Sequence, residues 1–360
     1  MILVTGGTGF VGKEVVNELL GLGYRVRLLV RDPKRATHFA HNPRVELVQG
    51  DAHRPETLPA AMAGAHGIVN LIGIIAETSS VTFEQAHVEA ARNLLTAATA
   101  AGVTRWVQMS SIGTRPCARS RYHLTKWQAE ELVRQSGTDW TIFRASLIYG
   151  YDERDRLINA LGTVARLLLA VPLFDGGRAL IQPVSVRDVA HCLALALAKE
   201  ASIGKTYDLV GPVASSWRDM AGKIVATLGL KSIYEEIPLL LKLRSLLWLV
   251  TALLPIVVLV GLIWGGLNIF IAALAGAVWI VLVAMAVQWR PVILFNVPAD
   301  LLGVVSEALD SGAPRALRFS DQVKMVQEDN VGDPRPAMET FGYVPESFQQ
   351  GVERVLLKKK

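Results

Sequence analysis

The chain has 360 residues, a hydrophobic content of 51% and a formal net charge of +5 at pH 7. This length predicts one large domain or two modest ones. The basic residues are scattered rather than gathered with aromatic residues into a stripe, which argues against nucleic-acid binding. Two cysteines provide no disulfide framework, and no metal site is predicted. Because an apolar strand pattern begins at Met1, no cleavable signal is expected.

The first twelve residues predict a buried strand, a glycine turn and the start of a helix. An apolar run ends at glycines spaced GxxGxxG, and an amphipathic run follows. This spacing permits a sharp turn, lets backbone amides reach a pyrophosphate and lets the helix pack closely on the strand. Free N–H groups at the helix start favour the anion. We therefore predict dinucleotide binding, rather than a chance glycine turn, at Gly6, Thr8, Gly9, Phe10, Val11 and Gly12.

Strand and helix patterns alternate through the first half of the chain. The predicted strands are 1–5, 24–30, 44–49, 66–72, 104–109 and 139–143, and the predicted helices are 10–22, 33–40, 55–63, 81–101 and 119–136. Such alternation predicts an α/β fold with a doubly wound parallel Rossmann sheet and right-handed crossovers. Ligands of such sheets bind beyond the carboxyl ends of the strands, so the residues that follow each strand are the candidates for a site.

The residues after the second strand bear on the choice of cofactor. Val30 occupies the position where an acid would bind a ribose 2′-hydroxyl, and Arg31 follows it. Arg31, with Lys34 or Arg35, can pair with a 2′-phosphate, so NADP(H) is favoured over NAD(H). Two alternatives remain open, namely a solvated basic loop and an Asp32 side chain turned inward to bind the hydroxyl.

Polar residues also follow the third and fourth strands. Asp51, next to Ala52, can accept a hydrogen bond from the adenine amino group. Equally, its carboxylate can serve as a helix cap or form a turn instead of binding the cofactor. Asn70 begins a segment where the backbone can pass the ribose and phosphate of the cofactor. We therefore include Asp51, Ala52 and Asn70 among the predicted cofactor-binding residues.

The fifth strand ends in Ser110 and Ser111, and a helix begins shortly after it. Tyr122 and Lys126 are four residues apart and share one face of that helix. A phenol so placed can act as a general acid, while the ammonium lowers its pKa and binds the nicotinamide ribose. Ser111 is the first choice for orienting a substrate oxygen and Ser110 the second. Because these residues are expected to line the nicotinamide site, Ser110, Tyr122 and Lys126 are also predicted to bind the cofactor. The alternative is an exposed helix pair without catalytic function.

The motifs resemble those of atypical or extended short-chain dehydrogenases/reductases. The resemblance is carried by Thr5–Gly12, Ser110–Ser111, Tyr122 with Lys126, Arg144–Gly150 and Gln182–Ala190. Tyr122–Glu130 and Gln322–Asn330 more narrowly resemble bacterial relatives of the Rossmann-type, NADPH-binding accessory subunit of respiratory complex I. The resemblance covers about residues 1–236 and 315–356; Ala145 departs from it, because the family usually has proline there.

The resemblance implies a small C-terminal α/β lobe that closes over the cofactor. We assign residues 1–150 to the Rossmann domain, 151–236 to part of the lobe, 237–296 to an insertion, and 297–360 to the rest of the lobe and a basic tail. Asp188 is expected to cap or brace a helix over 187–198, and His123 is expected on a helix surface.

The insertion contains 45 residues without a charge, from Ser245 to Trp289. As one helix it would be about 67 Å long, against a hydrocarbon core of about 30 Å. We therefore predict a transmembrane hairpin with crossings near 245–264 and 269–289, rather than one tilted span or a hairpin docked on a partner. Basic residues at both ends of the insertion place the Rossmann domain on the cytoplasmic side of the cell inner membrane.

Three functions follow from these patterns. The first is a membrane-tethered NAD(P)H-dependent reductase or dehydrogenase for a carbonyl or alcohol, with a quinone-like or other lipid-soluble substrate. The second is a non-catalytic NADPH-binding accessory or assembly subunit, whose partners are the subunits of a respiratory membrane complex. The third and weaker alternative is a nucleotide-sugar epimerase or dehydratase, because such enzymes share the fold and the Ser-Tyr-Lys set.

Overall fold

The structure is a computed structural model that describes residues 1–150, 156–168, 170–235, 292–297, 310 and 320–357. The first half contains β1 (Ile2–Thr5), α1 (Phe10–Gly21), β2 (Val26–Val30), β3 (Val45–Gln49), α2 (Leu58–Met62), β4 (Gly67–Asn70), α3 (Ala90–Ala100), β5 (Arg105–Ser111), α4 (Arg121–Arg134), β6 (Asp139–Ala145) and β7 (Ile148–Tyr149). Short 3₁₀ helices lie at Pro33–Phe39 and Pro55–Thr57, and a π-helix at Glu84–Glu89 leads into α3.

The described residues of the second half of the chain supply further strands and α-helices. They are α5 (Arg156–Leu168), β8 (Ala170–Phe174), β9 (Leu180–Ile181), β10 (Val184–Ser185), α6 (Val186–Ala196), β11 (Lys205–Leu209), β12 (Ser215–Ser216), α7 (Trp217–Thr227), β13 (Ser232–Glu235), β14 (Val292–Val297), α8 (Ser320–Val326), α9 (Arg335–Phe341) and α10 (Phe348–Leu357).

The main sheet has the strand order β11-β6-β5-β4-β1-β2-β3. Its strands are parallel, and the register pairs Thr5 of β1 with Leu29 of β2 and with Asn70 of β4. The chain adds β2 and β3 on one side of β1 and then crosses to add β4, β5, β6 and β11 on the other side, so the sheet is doubly wound as predicted. The carboxyl ends of β1, β4 and β5 therefore meet at one edge, where a ligand is expected.

Alternating residues of the strands bury both faces of this sheet. Val4, Val107 and Phe143 face one core, which α1 and α6 complete. Leu3, Ile68 and Trp106 face the other core with residues of α2 and α3. Burial on both faces is why the strands read as nearly continuous apolar runs, and it is typical of parallel sheets with helices on each side.

A second compact unit comprises the described residues within Ile158–Arg178 and Trp217–Pro298. Its three-stranded parallel sheet has the order β13-β14-β8. Val171, Val292 and Leu294 of this sheet pack with Ala221 and Val225 of α7 in a core of their own. The unit is therefore an α/β lobe, as the resemblance implies.

The unit boundaries differ from those assigned from the sequence. The segment 205–209, assigned to the lobe, is β11 of the main sheet. The described residues of the tail, 320–357, cluster with the main sheet rather than with the lobe. Residues 292–296, assigned to the insertion, lie in β14 of the lobe. In each case contacts between distant segments determine the unit to which a segment belongs, and the local periodicity of the sequence does not predict such contacts.

The predicted hairpin, 245–289, lies outside the residues that the structure describes. Among the helices that are described, none has the length and apolar character needed to cross a bilayer.

Asp188 does not cap α6. Ser185 is the N-cap, and its side chain accepts a hydrogen bond from the Arg187 N–H. Asp188 instead accepts the Glu346 N–H at 2.9 Å, and so braces the segment before α10. His123 is also not at the surface, because its side chain is buried under the loop at Gly113.

Candidate functional site

The glycine turn between β1 and α1 has the close packing that its spacing predicts. Gly6 has a φ of +71°, a left-handed conformation that favours glycine. The Gly9 N–H donates to the Gly6 carbonyl at 3.0 Å, and a Cβ at Gly12 would collide with the same oxygen. Gly9 is the N-cap of α1 without a capping side chain, and no acidic residue lies in the first turn. These residues therefore fit a pyrophosphate.

The other predicted residues of the cradle are Thr8, Phe10 and Val11. Each is half-buried and lies in the glycine turn or in the first turn of α1. Their backbone N–H groups lie at the helix start, where the helix dipole favours an anion.

The loop after β2 presents three exposed cations, Arg31, Lys34 and Arg35. Arg31 and Lys34 lie at the carboxyl edge of the sheet with their side chains exposed. Asp32 is the N-cap of the following 3₁₀ helix, and its Oδ1 accepts the Lys34 N–H at 3.0 Å. The Arg31 carbonyl accepts a bond of 3.4 Å from Gln49 Nε2. The Asp32 Oδ1 is thus engaged in local capping, while all three basic side chains are exposed.

Asp51 and Ala52 form a turn after β3. The Asp51 Oδ1 accepts the His53 N–H at 3.1 Å, which is the turn alternative left open by the sequence. The Ala52 carbonyl accepts a bond of 2.9 Å from Asn93 Nδ2 on α3, and the Ala52 side chain is buried. One carboxylate oxygen of Asp51 therefore serves the turn, and its second oxygen is the one that could accept from adenine.

The Asn70 side chain points into the sheet rather than out of it. Its Oδ1 accepts bonds from Thr5 Oγ1 at 2.6 Å and from the Ile72 N–H at 3.3 Å. Its Nδ2 donates to Gln108 Oε1 at 3.0 Å, and the same oxygen accepts from Trp106 Nε1. This network joins the ends of β1, β4 and β5, and it sets the path of the chain after β4. The Asn70 side chain is thus engaged within the sheet, and the predicted role in cofactor binding concerns its backbone.

The two serines at the end of β5 have different environments. Ser110 is buried, and its Oγ donates to Glu130 Oε1 at 2.6 Å. Ser111 is half-buried, its Oγ donates to the Ile112 carbonyl at 3.2 Å, and its interaction with Tyr122 lowers the pKa of the phenol. Ser111 is therefore the serine that lies with Tyr122, while Ser110 supports the strand from within.

Helix α4 brings Tyr122 and Lys126 to the same edge of the sheet. The helix begins at the N-cap Ser120, whose Oγ accepts the His123 N–H at 3.2 Å. Lys126 Nζ donates to the Met109 carbonyl of β5 at 3.3 Å, and both functional side chains are buried. The spacing of four residues, together with the β5 contact, brings Ser111, Tyr122 and Lys126 into one group.

Burial shifts the pKa of both groups on α4. Burial raises the pKa of the Tyr122 hydroxyl, which is opposite to the lowering that the sequence predicts, and the interaction with Ser111 partly offsets the effect of burial. Burial also lowers the pKa of Lys126 to about 8, against an opposing effect of the Glu130 carboxylate. At neutral pH the site therefore holds a protonated phenol beside an ammonium that is close to its titration range.

His87 belongs to this group, although sequence patterns did not single it out. Its ring stacks on Phe83 and meets the Tyr122 ring edge-on at 5.4 Å. Its two nitrogens contact Thr125 Oγ1 at 2.8 Å and the Ile74 N–H at 3.3 Å. The one possible signal was a histidine within a predicted helix, which by itself does not distinguish a site from a core. The π-helix that carries His87 is a feature often found at functional sites.

The tail also reaches this edge of the sheet. Asp321 Oδ1 accepts the Arg121 N–H at 2.9 Å, and Gln322 Nε2 donates to the Ile75 carbonyl at 2.8 Å. Glu328 forms an ion pair with Arg115 at 2.8 Å. Asp321 thereby caps an N–H in the first turn of α4, from 200 residues along the chain. The motif 322–330 is thus part of the surroundings of the site.

An NAD(P)H-binding family matches residues 6–200, more than half of the chain. The chain belongs to this family. It is 32% identical over 224 residues to the mitochondrial NADH dehydrogenase (ubiquinone) 1 alpha subcomplex subunit 9 of Arabidopsis thaliana, covering 61% of this chain and 55% of that protein. The chain thus spans just over half the length of this relative.

Reductases are among the other relatives of the chain. The NAD(P)H azoreductase of Xenophilus azovorans is 31% identical over 242 residues, covering 66% of this chain and 78% of that protein. The ceramide reductase of Caulobacter vibrioides is 33% identical over 158 residues, covering 44% of this chain and 49% of that protein. These matches confirm the predicted relation to short-chain reductases and to complex I subunits.

Solved structures agree with this fold. An NADPH-dependent quinone oxidoreductase of Escherichia coli, complexed with NADPH, has a TM-score of 0.66 at 17% identity, covering 99% of each chain. A short-chain dehydrogenase/reductase superfamily protein of Agrobacterium tumefaciens with bound NAD has a TM-score of 0.52 at 27% identity, covering 64% of this chain and 83% of that one. The Rossmann-type, extended short-chain dehydrogenase/reductase fold predicted from the motifs is confirmed.

Proposed function

We propose that this protein is a membrane-tethered NADP(H)-dependent reductase that acts on a carbonyl group or the corresponding alcohol. The observation that carries the proposal is the grouping of Ser111, Tyr122 and Lys126 at the carboxyl edge of a dinucleotide-binding sheet. A nicotinamide, when bound, supplies or accepts a hydride. The three side chains supply the proton for the substrate oxygen, hold that oxygen in position and stabilise the negative charge that remains on the phenol.

Tyr122 is the acid in this proposal. Because burial raises the pKa of its hydroxyl, Tyr122 is protonated at neutral pH and can donate to the substrate oxygen during reduction. The phenolate that results lies one helical turn from the Lys126 ammonium, which stabilises the negative charge. Ser111 holds the oxygen through its hydroxyl, and solvent then returns the proton to Tyr122.

A matched pair of tyrosine variants tests this assignment. Turnover of quinones and aldehydes with NADPH is measured for the full chain in mild detergent, with Tyr122→Phe and Tyr24→Phe compared with wild type. Tyr24 precedes β2 and lies at the opposite edge of the sheet. We expect a rate loss of about 10²- to 10⁴-fold for Tyr122→Phe, the range for general acid catalysis, and no loss for Tyr24→Phe. Full activity of Tyr122→Phe would overturn the assignment.

The exposed pair Arg31 and Lys34 supports NADP(H) as the cofactor. Asp32, the acid that could favour NAD(H), is exposed, and its Oδ1 caps the 3₁₀ helix that follows it. Replacement of both cations by alanine is expected to weaken NADPH binding by about 10- to 100-fold while leaving NADH binding unchanged, because only NADPH carries the 2′-phosphate. Arg44→Ala, an exposed cation before β3, is the control. Equal weakening of both cofactors would contradict the preference.

The uncharged run 245–289 supports the membrane tether and a lipid-soluble, quinone-like substrate. In this proposal it forms two crossings of the cell inner membrane, with the Rossmann domain on the cytoplasmic side. The names of the relatives, a ceramide reductase and a quinone oxidoreductase, lend support to such a substrate class. Resistance of the protein to alkaline extraction from membranes tests the tether, and release into the supernatant would contradict it.

A second function is favoured by the similarity to complex I subunits and by the burial of Tyr122, which is 8% exposed. The protein would then be a non-catalytic accessory or assembly subunit whose bound NADPH stabilises the fold. This reading predicts tight, slowly exchanging cofactor and co-purification with respiratory-complex subunits. Normal assembly of the complex in a deletion strain would contradict it, while loss of activity in Tyr122→Phe would favour the reductase.

A further inference from the structure

We propose that His87 is a positioning residue for the nicotinamide end of the site, because it fastens the Gly73–Ile74 backbone to the helix that carries Tyr122 and Lys126. The inference rests on the proposed function, which assigns this end of the sheet edge to the nicotinamide. It adds a residue outside the Ser-Tyr-Lys group and assigns it a definite chemical state.

The hydrogen bonds determine the tautomer of His87. The Ile74 N–H is a donor, so His87 Nε2, 3.3 Å away, must be an unprotonated acceptor. His87 Nδ1 then carries the proton and donates to Thr125 Oγ1 at 2.8 Å. The Thr125 hydroxyl in turn donates to the Arg121 or Tyr122 carbonyl of its own helix. A continuous chain of hydrogen bonds therefore runs from the loop after β4 to the turn of α4 that contains Tyr122.

The same loop lies directly against Lys126. A Cβ placed at Gly73 would be 2.9 Å from Lys126 Nζ and 3.6 Å from His87 Nε2. The Gly73 backbone thus borders both the ammonium and the imidazole, and its position decides how much room exists beside Lys126. Since Ile74 is the next residue, the bond from Ile74 N–H to His87 holds this stretch in place.

The surroundings of His87 keep it neutral and immobile. Its ring stacks on Phe83 at 5.6 Å between centroids and abuts Tyr122. Burial, followed by the charge of Lys126, lowers the pKa of His87 well below the ordinary value. A neutral imidazole can accept from Ile74, whereas an imidazolium would lose that bond and place a second cation beside Lys126. The residue thus acts through hydrogen bonds rather than through proton transfer.

Binding of a whole cofactor and of its adenosine half separates positioning from a purely structural role. The dissociation constants of NADPH and of 2′,5′-ADP are measured on the full chain, with NADH and 5′-ADP in parallel. The variants are His87→Ala, His87→Gln, Thr125→Val and the double variant His87→Ala with Thr125→Val. His66→Ala is the control, because His66 is exposed at the amino end of β4, where it contacts the Met1 amino group.

We expect His87→Ala and Thr125→Val each to weaken NADPH binding by about tenfold, while 2′,5′-ADP binding changes by less than about twofold. His87→Gln should restore most of the affinity, because its amide both accepts and donates. The double variant should bind no more weakly than the weaker single variant, because both changes break one chain of bonds. His66→Ala should match wild type.

Equal weakening of NADPH and 2′,5′-ADP would overturn the inference, since a core histidine would disturb both. Unchanged NADPH binding in His87→Ala would do so as well. Should that variant fail to fold, Thr125→Val breaks the same link and decides the question by the same comparison. A wild-type protein that binds neither NADPH nor 2′,5′-ADP would instead overturn the proposed function itself, and the inference with it.

Discussion

The buried carboxylate of Glu130 offers the sharpest test of how this site is supported. It lies on α4, 1% exposed, and accepts hydrogen bonds from Ser110 of β5, from Arg144 of β6 and from Arg134 of its own helix, at distances from 2.6 to 3.0 Å. Glu130→Gln keeps the size of the side chain but removes the charge that two arginines share. The ends of β5 and β6 would thereby lose their common tie to α4.

The expected cost follows from the burial of the partners. Removing one partner of a buried ion pair costs about 3–5 kcal/mol. Arg134 and Arg144 keep 24% and 23% exposure and can recover some solvation, and the glutamine oxygen still accepts a bond. We therefore expect Glu130→Gln to lower the free energy of unfolding by about 2–3 kcal/mol, less than the full penalty. Urea unfolding followed by tryptophan fluorescence measures it.

Glu131→Gln is the matched control. Glu131 pairs with the same Arg134 at 2.6 Å but is 36% exposed, so its loss should cost no more than about 1 kcal/mol. The reasoning would be refuted if Glu130→Gln destabilised the protein no more than Glu131→Gln. Because the Glu130 carboxylate raises the pKa of Lys126, Glu130→Gln should also shift the alkaline limb of the pH–activity profile to lower pH.

Three further outcomes are expected from the described residues. Lys126 has a pKa of about 8, below the ordinary value, so its charge is present below pH 8 and lost above it. The rate of carbonyl reduction should therefore fall as the pH rises through about 8. A rate that stays constant up to pH 10 would contradict this expectation. Gly12→Ala should abolish dinucleotide binding, because the added Cβ would collide with the backbone of the glycine turn. Gly21→Ala is the control: with no atom within 4 Å of the added Cβ, this variant should bind normally and stabilise α1 by about 0.5–1 kcal/mol. Retained binding in Gly12→Ala would refute the assignment of the glycine turn to the pyrophosphate. Asp321→Ala should cost about 1 kcal/mol by uncapping the Arg121 N–H, and an unchanged unfolding midpoint would show that the tail does not support α4.

Much of the main sheet could be predicted from the sequence. The six predicted strands are β1 to β6, and the end of each agrees with the prediction to within a few residues. The predictions succeed because burial on both faces of a parallel strand leaves a continuous apolar run, which is a local property of the chain. β11 was not predicted as part of this sheet, because Lys205–Leu209 has alternating polar residues and depends on β6 for its place.

The candidate site was predicted in part. Tyr122 and Lys126 share a helix face because helical geometry alone places residues four apart together. Asn70 was assigned to the cofactor through the backbone of its segment, but the role of its side chain within the sheet was not predicted, because its contacts with Thr5 and Gln108 span 65 and 38 residues. His87 was missed for the same reason, since its partner Thr125 is 38 residues away.

The sequence by itself therefore determined the glycine turn, the parallel sheet and the Tyr122–Lys126 pair, because each depends on residues within one or two turns or strands. Only the tertiary structure decided that Ser110 pairs with Glu130, that His87 borders Lys126, and that the tail caps α4. These outcomes depend on which distant segments pack together and on which buried polar groups then satisfy one another. The packing of the whole core determines which segments meet and which buried polar groups pair, and no local sequence pattern predicts this.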